Sequence, residues 1–310
     1  MTPFTSQISF HGSPLTFYRW GEGPEVIVAL HGFGESGLSF AHWGDALPPG
    51  FTLIAPDLPL HGGSGWKEGE IFTVSQLKEL IERMVGAIAP QGARTANGRA
   101  AAPPGASATA PTGAGITDDS AAAPGALRII LCGYSMGGRL SLQFFQAYPN
   151  LVKRLVLVAP DGLKVNFWYW LATQTRVGNR FFRYTMSHPW WFLQGVKYLG
   201  KYGLLNKGIV KYTSRYLGEA HNRERLYTIW SCMRTFRPDL DRVKALIRAG
   251  KAPVYLIFGR FDKIIQPSQG YRFRRNTAGH CSLLELSTGH QLLFPAFSKD
   301  CLQILTGELV

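Results

Sequence analysis

A serine surrounded by glycines is the residue of this sequence best placed to do chemistry. Ser135 lies in the segment LCGYSMGGRL, between Gly133 and Gly137, where an apolar run gives way to a helical pattern. A strand-to-helix turn of this kind is strained, and side chains at the flanking positions would collide with it. The glycines remove those side chains, so the Ser135 hydroxyl is expected to stand at the carboxyl edge of a sheet, available as a nucleophile.

A serine nucleophile needs a base to take its proton and an acid to hold that base in one tautomer. Asp262 follows the apolar run PVYLIFG, and His290 follows SLLELSTG, so both side chains are expected at the strand ends beside Ser135. Asp161 also follows an apolar run, LVLVAP, and is the alternative acid. We prefer Asp262, although both candidates fit the chain order serine, acid, histidine that is expected with this type of serine turn.

Three further histidines compete with His290 for the role of base. We prefer His290, which follows the last of the apolar runs, over His31, His61 and His280. His31 is instead expected to support the loop that it begins, and His61 to serve a turn. The adjacent pair His280 and Cys281 makes no metal site, since two neighbouring ligands cannot complete a coordination shell. Neither a metal nor a cofactor is expected.

The negative oxygen of a tetrahedral intermediate requires preorganised donors. The segment HGFGES at 31–36 follows the apolar run VIVAL, and Gly32 allows the backbone to come close to a ligand. We expect the backbone amides of Phe33 and Met136 to be the donors.

The helices and strands that must position these groups are indicated by helical and strand-like hydrophobic patterns, which alternate along the chain. A capping box formed by Thr73 and Gln76 begins a helix with one apolar face, and a second helical pattern runs over 139–148. The segment ISFHGSPLTFYRW predicts two short antiparallel strands. Six apolar runs predict buried strands, at 26–30, 51–56, 127–133, 152–160, 253–259 and 282–286. This order predicts an α/β fold with a mostly parallel, doubly wound sheet and helices on both faces.

Charge and composition divide the 310 residues unevenly. Residues 160–250 hold 16 Lys and Arg against 5 Asp and Glu, whereas 1–159 hold 10 against 11 and 251–310 hold 7 against 4. This shift predicts an inserted unit, a basic and aromatic-rich helical cap over 160–239, within a core domain of 1–159 and 240–310. The Ala, Gly, Pro and Thr-rich segment 90–125 predicts a flexible insertion.

Cysteine usage and the amino-terminal segment bear on the cellular compartment. The four cysteines are far apart and form no CxxC pair, so they are expected to be reduced packing residues. The segment MTPFTSQISFHGS lacks both a basic start and an apolar signal core. We expect a cytoplasmic protein, with peripheral attachment to a membrane as the alternative.

These motifs together resemble the α/β-hydrolase superfamily. Four segments stand in the family's order, namely LHGFGES, GYSMGG, FGRFD and TGH. The segment DLPLHGGS is also similar to a family segment, except that Leu60 replaces the usual glycine. The resemblance implies an α/β-hydrolase fold with a helical cap inserted over the active site, and a Ser135, His290 and Asp262 triad.

The predicted activity is hydrolysis of a carboxylic ester through an acyl-enzyme intermediate. Carbon–carbon bond hydrolysis of the meta-cleavage type, thioester hydrolysis and cofactor-free peroxidation use the same machinery and remain alternatives. The non-enzymatic alternative is a hydrolase-like scaffold that binds a ligand or a membrane.

The predicted partner is a small-molecule ester with an apolar acyl or aromatic group. The aromatic cap residues favour such a group if they face the pocket. The basic cap residues favour an anionic membrane surface, an acidic headgroup or an acyl-CoA phosphate. No nucleic acid is expected, because no recognition motif is present.

Overall fold

The architecture is a single mixed sheet flanked by helices. It is seen in a computed structural model, which describes residues 2–88, 128–164, 167–205, 207–277 and 279–308. The strands are β1 (Phe4–Phe10), β2 (Ser13–Trp20), β3 (Glu25–Leu30), β4 (Phe51–Pro56), β5 (Ile129–Tyr134), β6 (Val152–Val158), β7 (Val254–Gly259) and β8 (Cys281–Leu286).

The eight strands lie in the order β1-β2-β4-β3-β5-β6-β7-β8. The β1–β2 and β2–β4 pairs are antiparallel, whereas β4, β3, β5, β6, β7 and β8 run parallel. The predicted amino-terminal hairpin and all six predicted strands are present, but the prediction of burial is wrong for β8, an edge strand in which only Cys281 is buried. Because the parallel strands share one direction, their carboxyl ends meet at a single edge of the sheet.

Helices cover both faces of this sheet. They are α1 (Ala41–Asp45), α2 (Val74–Ile88), α3 (Met136–Ala147), α4 (Phe167–Gln174), α5 (Arg176–Ser187), α6 (Trp190–Lys201), α7 (Lys207–Tyr216), α8 (Ala220–Cys232), α9 (Leu240–Arg248), α10 (Pro267–Arg274) and α11 (Ser298–Thr306).

Strand β5 shows how the two faces are built. All six of its residues are buried. Ile129 and Leu131 pack into the layer that contains α2, α3, α9 and α10. Ile130 and Cys132 pack into the opposite layer, with α1 and α11. Alternate residues therefore contribute to two separate cores, which is why the strand is apolar throughout its length.

The capping box predicted for α2 is present. The Thr73 backbone amide donates to Gln76 Oε1 at 2.9 Å, and the Gln76 amide donates to Thr73 Oγ1 at 3.3 Å. The two side chains thereby satisfy donors that the helix itself leaves open.

Helices α4 to α8 follow β6 in the chain and precede β7. Helix α5 packs against α4 and α8, and α6 packs against α7. Helix α8 also reaches the main core through Ile229 and Cys232. The helices are thus an insertion into the α/β core, while the cap boundaries of 160–239 stay a prediction. The predicted flexible insertion at 90–125 lies outside the described residues.

All four cysteines are buried, as expected of packing residues. Burial raises the pKa of the Cys232 and Cys301 thiols to about 12 and of the Cys281 thiol to about 11. None of the helices in the described ranges combines the length and the hydropathy needed to span a bilayer.

Candidate active site

Ser135 lies at the junction between β5 and α3 in a strained backbone conformation. Its φ is 50° and its ψ is −115°, a combination with positive φ that residues other than glycine rarely adopt. Hydrogen bonds on both sides hold it there. The Ser135 amide donates to the Val158 carbonyl at 3.0 Å, and the Ser135 carbonyl accepts from Gly138 and Asp161 at 2.9 Å each.

The two flanking glycines are required by close backbone contacts. A Cβ at Gly133 would collide with the Gly137 carbonyl and the Ser141 hydroxyl. A Cβ at Gly137 would collide with the Leu30 carbonyl, at the carboxyl end of β3. The turn therefore packs so tightly that any side chain at either position would push α3 away from the sheet.

The structure brings the three predicted polar residues into one hydrogen-bonded line. His290 Nε2 lies 3.2 Å from Ser135 Oγ, and His290 Nδ1 lies 2.7 Å from Asp262 Oδ2. Since an ionised carboxylate only accepts, Nδ1 is the donor in this contact, and Nε2 is the ring atom that faces the Ser135 hydroxyl.

Asp262 is fixed by backbone donors as well as by His290. Its side chain is fully buried, and its Oδ1 accepts from the amides of Ile264 at 2.7 Å and Ile265 at 3.0 Å. The second carboxylate oxygen is therefore directed at the histidine.

The alternative acid, Asp161, has a different environment. Its Oδ2 lies 3.5 Å from Arg139 Nη1, its Oδ1 accepts from the Gly162 amide at 2.7 Å, and its side chain is 34% exposed. Arg139 in turn stacks over the Tyr169 ring, 4.1 Å from its centroid. The contacts of Asp161 are thus to this arginine and to its own turn, whereas Asp262 contacts the histidine.

Tyr134, the residue before the serine, makes a contact with His290 that the sequence analysis did not predict. Its hydroxyl donates to the His290 carbonyl at 2.9 Å, and the two rings lie 5.4 Å apart. The tyrosine links β5 to the loop that carries the histidine and limits how far the ring can move. An aromatic residue beside the serine was the only signal in the sequence.

The predicted oxyanion loop is held from two directions. The Gly32 amide donates to Glu35 Oε2 at 3.3 Å, and burial raises the pKa of that carboxyl. His31 Nδ1 lies 2.8 Å from the Gly32 carbonyl, and the Leu58 amide donates to His31 Nε2 at 2.9 Å. His31 thus joins the loop to the segment after β4, which fits the supporting position expected for it. Glu35 was not predicted.

The turn after β4 is built around a buried carboxylate. Asp57 accepts from the amides of Gly37 and Gly63, both at 2.7 Å. Leu60, which stands where the resemblance expects glycine, has a φ of 68° and packs against the core. The backbone at this position is therefore left-handed although the residue is not glycine, at a conformational cost of about 1–2 kcal/mol for leucine.

His31 and His61 form a buried pair of neutral rings. Their centroids lie 4.9 Å apart, and His61 Nδ1 donates to the Pro59 carbonyl at 2.9 Å. Burial lowers the pKa of His31 to about 4 and, together with the charge of a protonated His31, lowers the pKa of His61 to about 3. Both rings stay uncharged at neutral pH.

Because both of these histidines have a lowered pKa in the folded protein, we expect the protein to lose stability in mild acid. Below pH ~6.5 the unfolded chain protonates both histidines while the folded chain does not, so stability falls as the pH is lowered towards about 4. Each ring is expected to lower the free energy of unfolding by about 1.4 kcal/mol per pH unit in this window. Urea unfolding at a series of pH values measures the slope.

The variant His61→Gln is expected to reduce the slope by about half. The matched control is His280→Gln, because that side chain is exposed. An unchanged slope in His61→Gln would contradict the assignment.

A cavity of about 880 Å³ opens onto Ser135. The serine, Phe33 and Met136 form its floor, beneath the inserted helices. The aromatic lining from those helices comprises Tyr169, Trp170, Tyr216 and Trp230, and the charged lining comprises Arg139, Asp161, Lys164, Arg237 and Asp239. The space is large enough for a drug-sized ligand and has both apolar and charged walls.

Comparisons with known proteins place this arrangement in a family. An uncharacterized protein of Mycobacterium tuberculosis is 26% identical over 165 residues, 53% of this chain and 37% of that protein. A pimeloyl-[acyl-carrier protein] methyl ester esterase of Nitrosospira multiformis is 26% identical over 160 residues, 48% of this chain and 44% of that protein. The chain thus spans less than half the length of these curated relatives.

Solved structures share this fold. A hydrolase from Pseudomonas aeruginosa superimposes with a TM-score of 0.60 at 17% identity, covering 98% of both chains. The family model described as the alpha/beta hydrolase family matches residues 27–300. Because that match spans most of the chain, with Ser135, Asp262 and His290 inside it, the chain belongs to the α/β hydrolase family.

Proposed function

We propose that this protein is a serine hydrolase that cleaves carboxylic esters through an acyl-enzyme intermediate. The observation that carries the proposal is the continuous line of contacts from Ser135 through His290 to Asp262, at 3.2 and 2.7 Å. Each contact is within the distance at which a nucleophile, a base and an orienting acid act together.

In the proposed first step, Ser135 Oγ attacks the ester carbonyl carbon while His290 Nε2 takes the hydroxyl proton. Asp262 stabilises the imidazolium that forms and keeps its orientation. The imidazolium then gives the proton to the alcohol oxygen as the carbon–oxygen bond breaks, leaving the acyl group on the serine. Water, deprotonated by His290, attacks the acyl carbon in the second step and releases the acid.

The proposed donors to the tetrahedral oxygen are the Phe33 and Met136 amides. Met136 is the first residue of α3, and an amide at that position has no acceptor within the helix. The partial positive charge of the helix amino terminus adds to the attraction for a negative oxygen. The contacts of Gly32 with His31 and Glu35 support the other half of the site by fixing the loop before Phe33.

The proposed substrate is a small-molecule ester with an apolar acyl or aromatic group. The aromatic side chains in the cavity wall, such as Trp170 and Trp230, favour an apolar group beside the serine. The name of the Nitrosospira relative, a methyl ester esterase, also favours an ester over other bonds.

The test is a substrate panel with one active-site probe. We expect p-nitrophenyl esters to be hydrolysed with an initial burst of nitrophenol, because the acyl-enzyme accumulates. An acyl thioester and a dienone ring-cleavage product are measured alongside, and a higher kcat/KM for either would replace the ester assignment. A fluorophosphonate probe is expected to label the protein rapidly. Absence of both labelling and hydrolysis would favour the non-enzymatic, ligand-binding alternative.

A further inference from the structure

The inserted helices begin with a long segment that contains no acidic residue. Between Gly162 and Gly218 there is no Asp or Glu, whereas nine Lys and Arg are present. A segment of this length with charge of one sign generates a strong local positive potential. This potential attracts a surface that carries many negative charges.

Helix α5 presents an apolar stripe to solvent. Val177, Phe181 and Tyr184 are 82%, 55% and 53% exposed and recur at the spacing of one helix face. Gly178 and Thr185, about a quarter turn around the helix from this stripe, are buried. Three large apolar groups of this helix therefore point into solvent.

The following helix continues the stripe. Phe181 contacts Trp191, with ring centroids 5.4 Å apart, so α5 and α6 are neighbours. Trp190 and Tyr198 on α6 are 67% and 62% exposed, and Leu204 in the loop after it is 72% exposed. Nine of the fifteen exposed large hydrophobic side chains among the described residues lie between positions 167 and 204.

Basic side chains border this apolar surface on both helices. The exposed cations are Arg176, Arg180 and Arg183 on α5, with Lys197 and Lys201 on α6. Tryptophan and tyrosine beside lysine and arginine are the side chains that favour the boundary between lipid headgroups and acyl chains. We propose that the α5–α6 face, defined by these cations together with Val177, Phe181, Tyr184, Trp190, Tyr198 and Leu204, docks on the surface of an anionic lipid bilayer.

A bilayer explains the apolar and the charged groups of this face together. Anionic headgroups attract the cations, while the exposed apolar side chains leave water for the acyl boundary. A highly charged partner such as RNA would use the cations and leave Val177 and Leu204 without an apolar environment. The combination therefore favours lipid over a polyanion.

The α5–α6 face lies one layer outside the cavity. Helix α5 packs on α4 and α8, and α6 packs on α7. Those three inner helices contribute Trp170, Trp230 and Tyr216 to the cavity wall. Docking would thus hold the cavity close to the membrane, where apolar esters are concentrated.

The experiment is sedimentation of the full chain with phosphatidylcholine vesicles, with and without phosphatidylserine, at low and high salt. We expect binding to the phosphatidylserine vesicles at low salt, much weaker binding at high salt and little binding to phosphatidylcholine alone. The triple variant Arg180→Gln, Lys197→Gln, Lys201→Gln is expected to bind about a hundredfold more weakly. The triple variant Val177→Ser, Trp190→Ser, Leu204→Ser is expected to bind these vesicles about tenfold more weakly, or weaker still.

A matched control separates this face from general electrostatic attraction. The variant Arg272→Gln, Arg275→Gln, Lys299→Gln removes three exposed cations from the α/β core and leaves the same net charge as the α5–α6 charge variant. It is expected to bind nearly as well as the wild type. Equal losses in the two charge variants would overturn the proposal.

Two other results would also overturn it. One is no sedimentation of the wild-type protein with phosphatidylserine vesicles at low salt. The other is binding to a single-stranded RNA oligonucleotide without binding to vesicles, which would assign the surface to a polyanion. The Ser135→Ala protein is expected to bind vesicles like the wild type, so loss of catalysis and loss of docking are measured independently. Circular dichroism of each variant checks that it is folded.

Discussion

Replacement of Ser135 by alanine is expected to lower kcat for ester hydrolysis by about four to six orders of magnitude. The substitution removes the oxygen that lies 3.2 Å from His290 Nε2 and leaves water as the only nucleophile. The backbone at this position is held by hydrogen bonds of the main chain, which alanine keeps. Initial rates with p-nitrophenyl esters and fluorophosphonate labelling measure the effect.

The control is Ser75→Ala, since Ser75 is exposed on α2, away from the cavity lining. It is expected to keep the wild-type rate and the wild-type labelling. A thermal midpoint for Ser135→Ala close to that of the wild type would show that the fold is intact. Retention of ester hydrolysis by the purified Ser135→Ala protein would refute the proposed mechanism.

The change Asp262→Asn is expected to lower kcat by about 10⁴ while the protein stays folded. The Ile264 and Ile265 amides donate to Oδ1, so the amide oxygen of asparagine will occupy that position. The amide nitrogen then faces His290 Nδ1 and donates to it. This forces the proton of the neutral ring onto Nε2, where it can no longer accept the hydroxyl proton of Ser135.

The matched variant is Asp161→Asn, which tests the alternative acid directly. Asp161 lies beside Arg139 at 3.5 Å and is partly exposed, so its loss is expected to change kcat by less than about tenfold. Rates of both variants with the same ester decide between the two carboxylates. A larger loss in Asp161→Asn than in Asp262→Asn would reverse the assignment of the acid.

Much of the sheet could be predicted because its signals are local. A parallel strand covered on both faces is apolar along its length, and β5 shows this pattern from Ile129 to the serine turn. The capping box at Thr73 likewise depends on residues only three positions apart. The outward orientation of the apolar stripe on α5 could not be predicted, because the amphipathic pattern alone does not say which face is buried.

The site was predictable to the extent that it depends on chain order and strand ends. Asp262 and Asp161 both follow strands, and sequence alone left both open as acids. The structure separates them by long-range contacts, one to His290 and the other to Arg139. The contact of Tyr134 with the His290 carbonyl also depends on tertiary packing, which no local pattern encodes.

The location of β7 and β8 has a consequence for biosynthesis. Ser135, the proposed nucleophile, is translated 155 residues before His290, its proposed base, with all of the inserted helices in between. Under the proposed mechanism, Ser135 in a nascent chain stays unreactive until the last two strands join the sheet edge. The same arrangement makes the connection between β6 and β7 a suitable place to divide the polypeptide, since each fragment alone lacks part of the reactive centre and only their reassociation restores it.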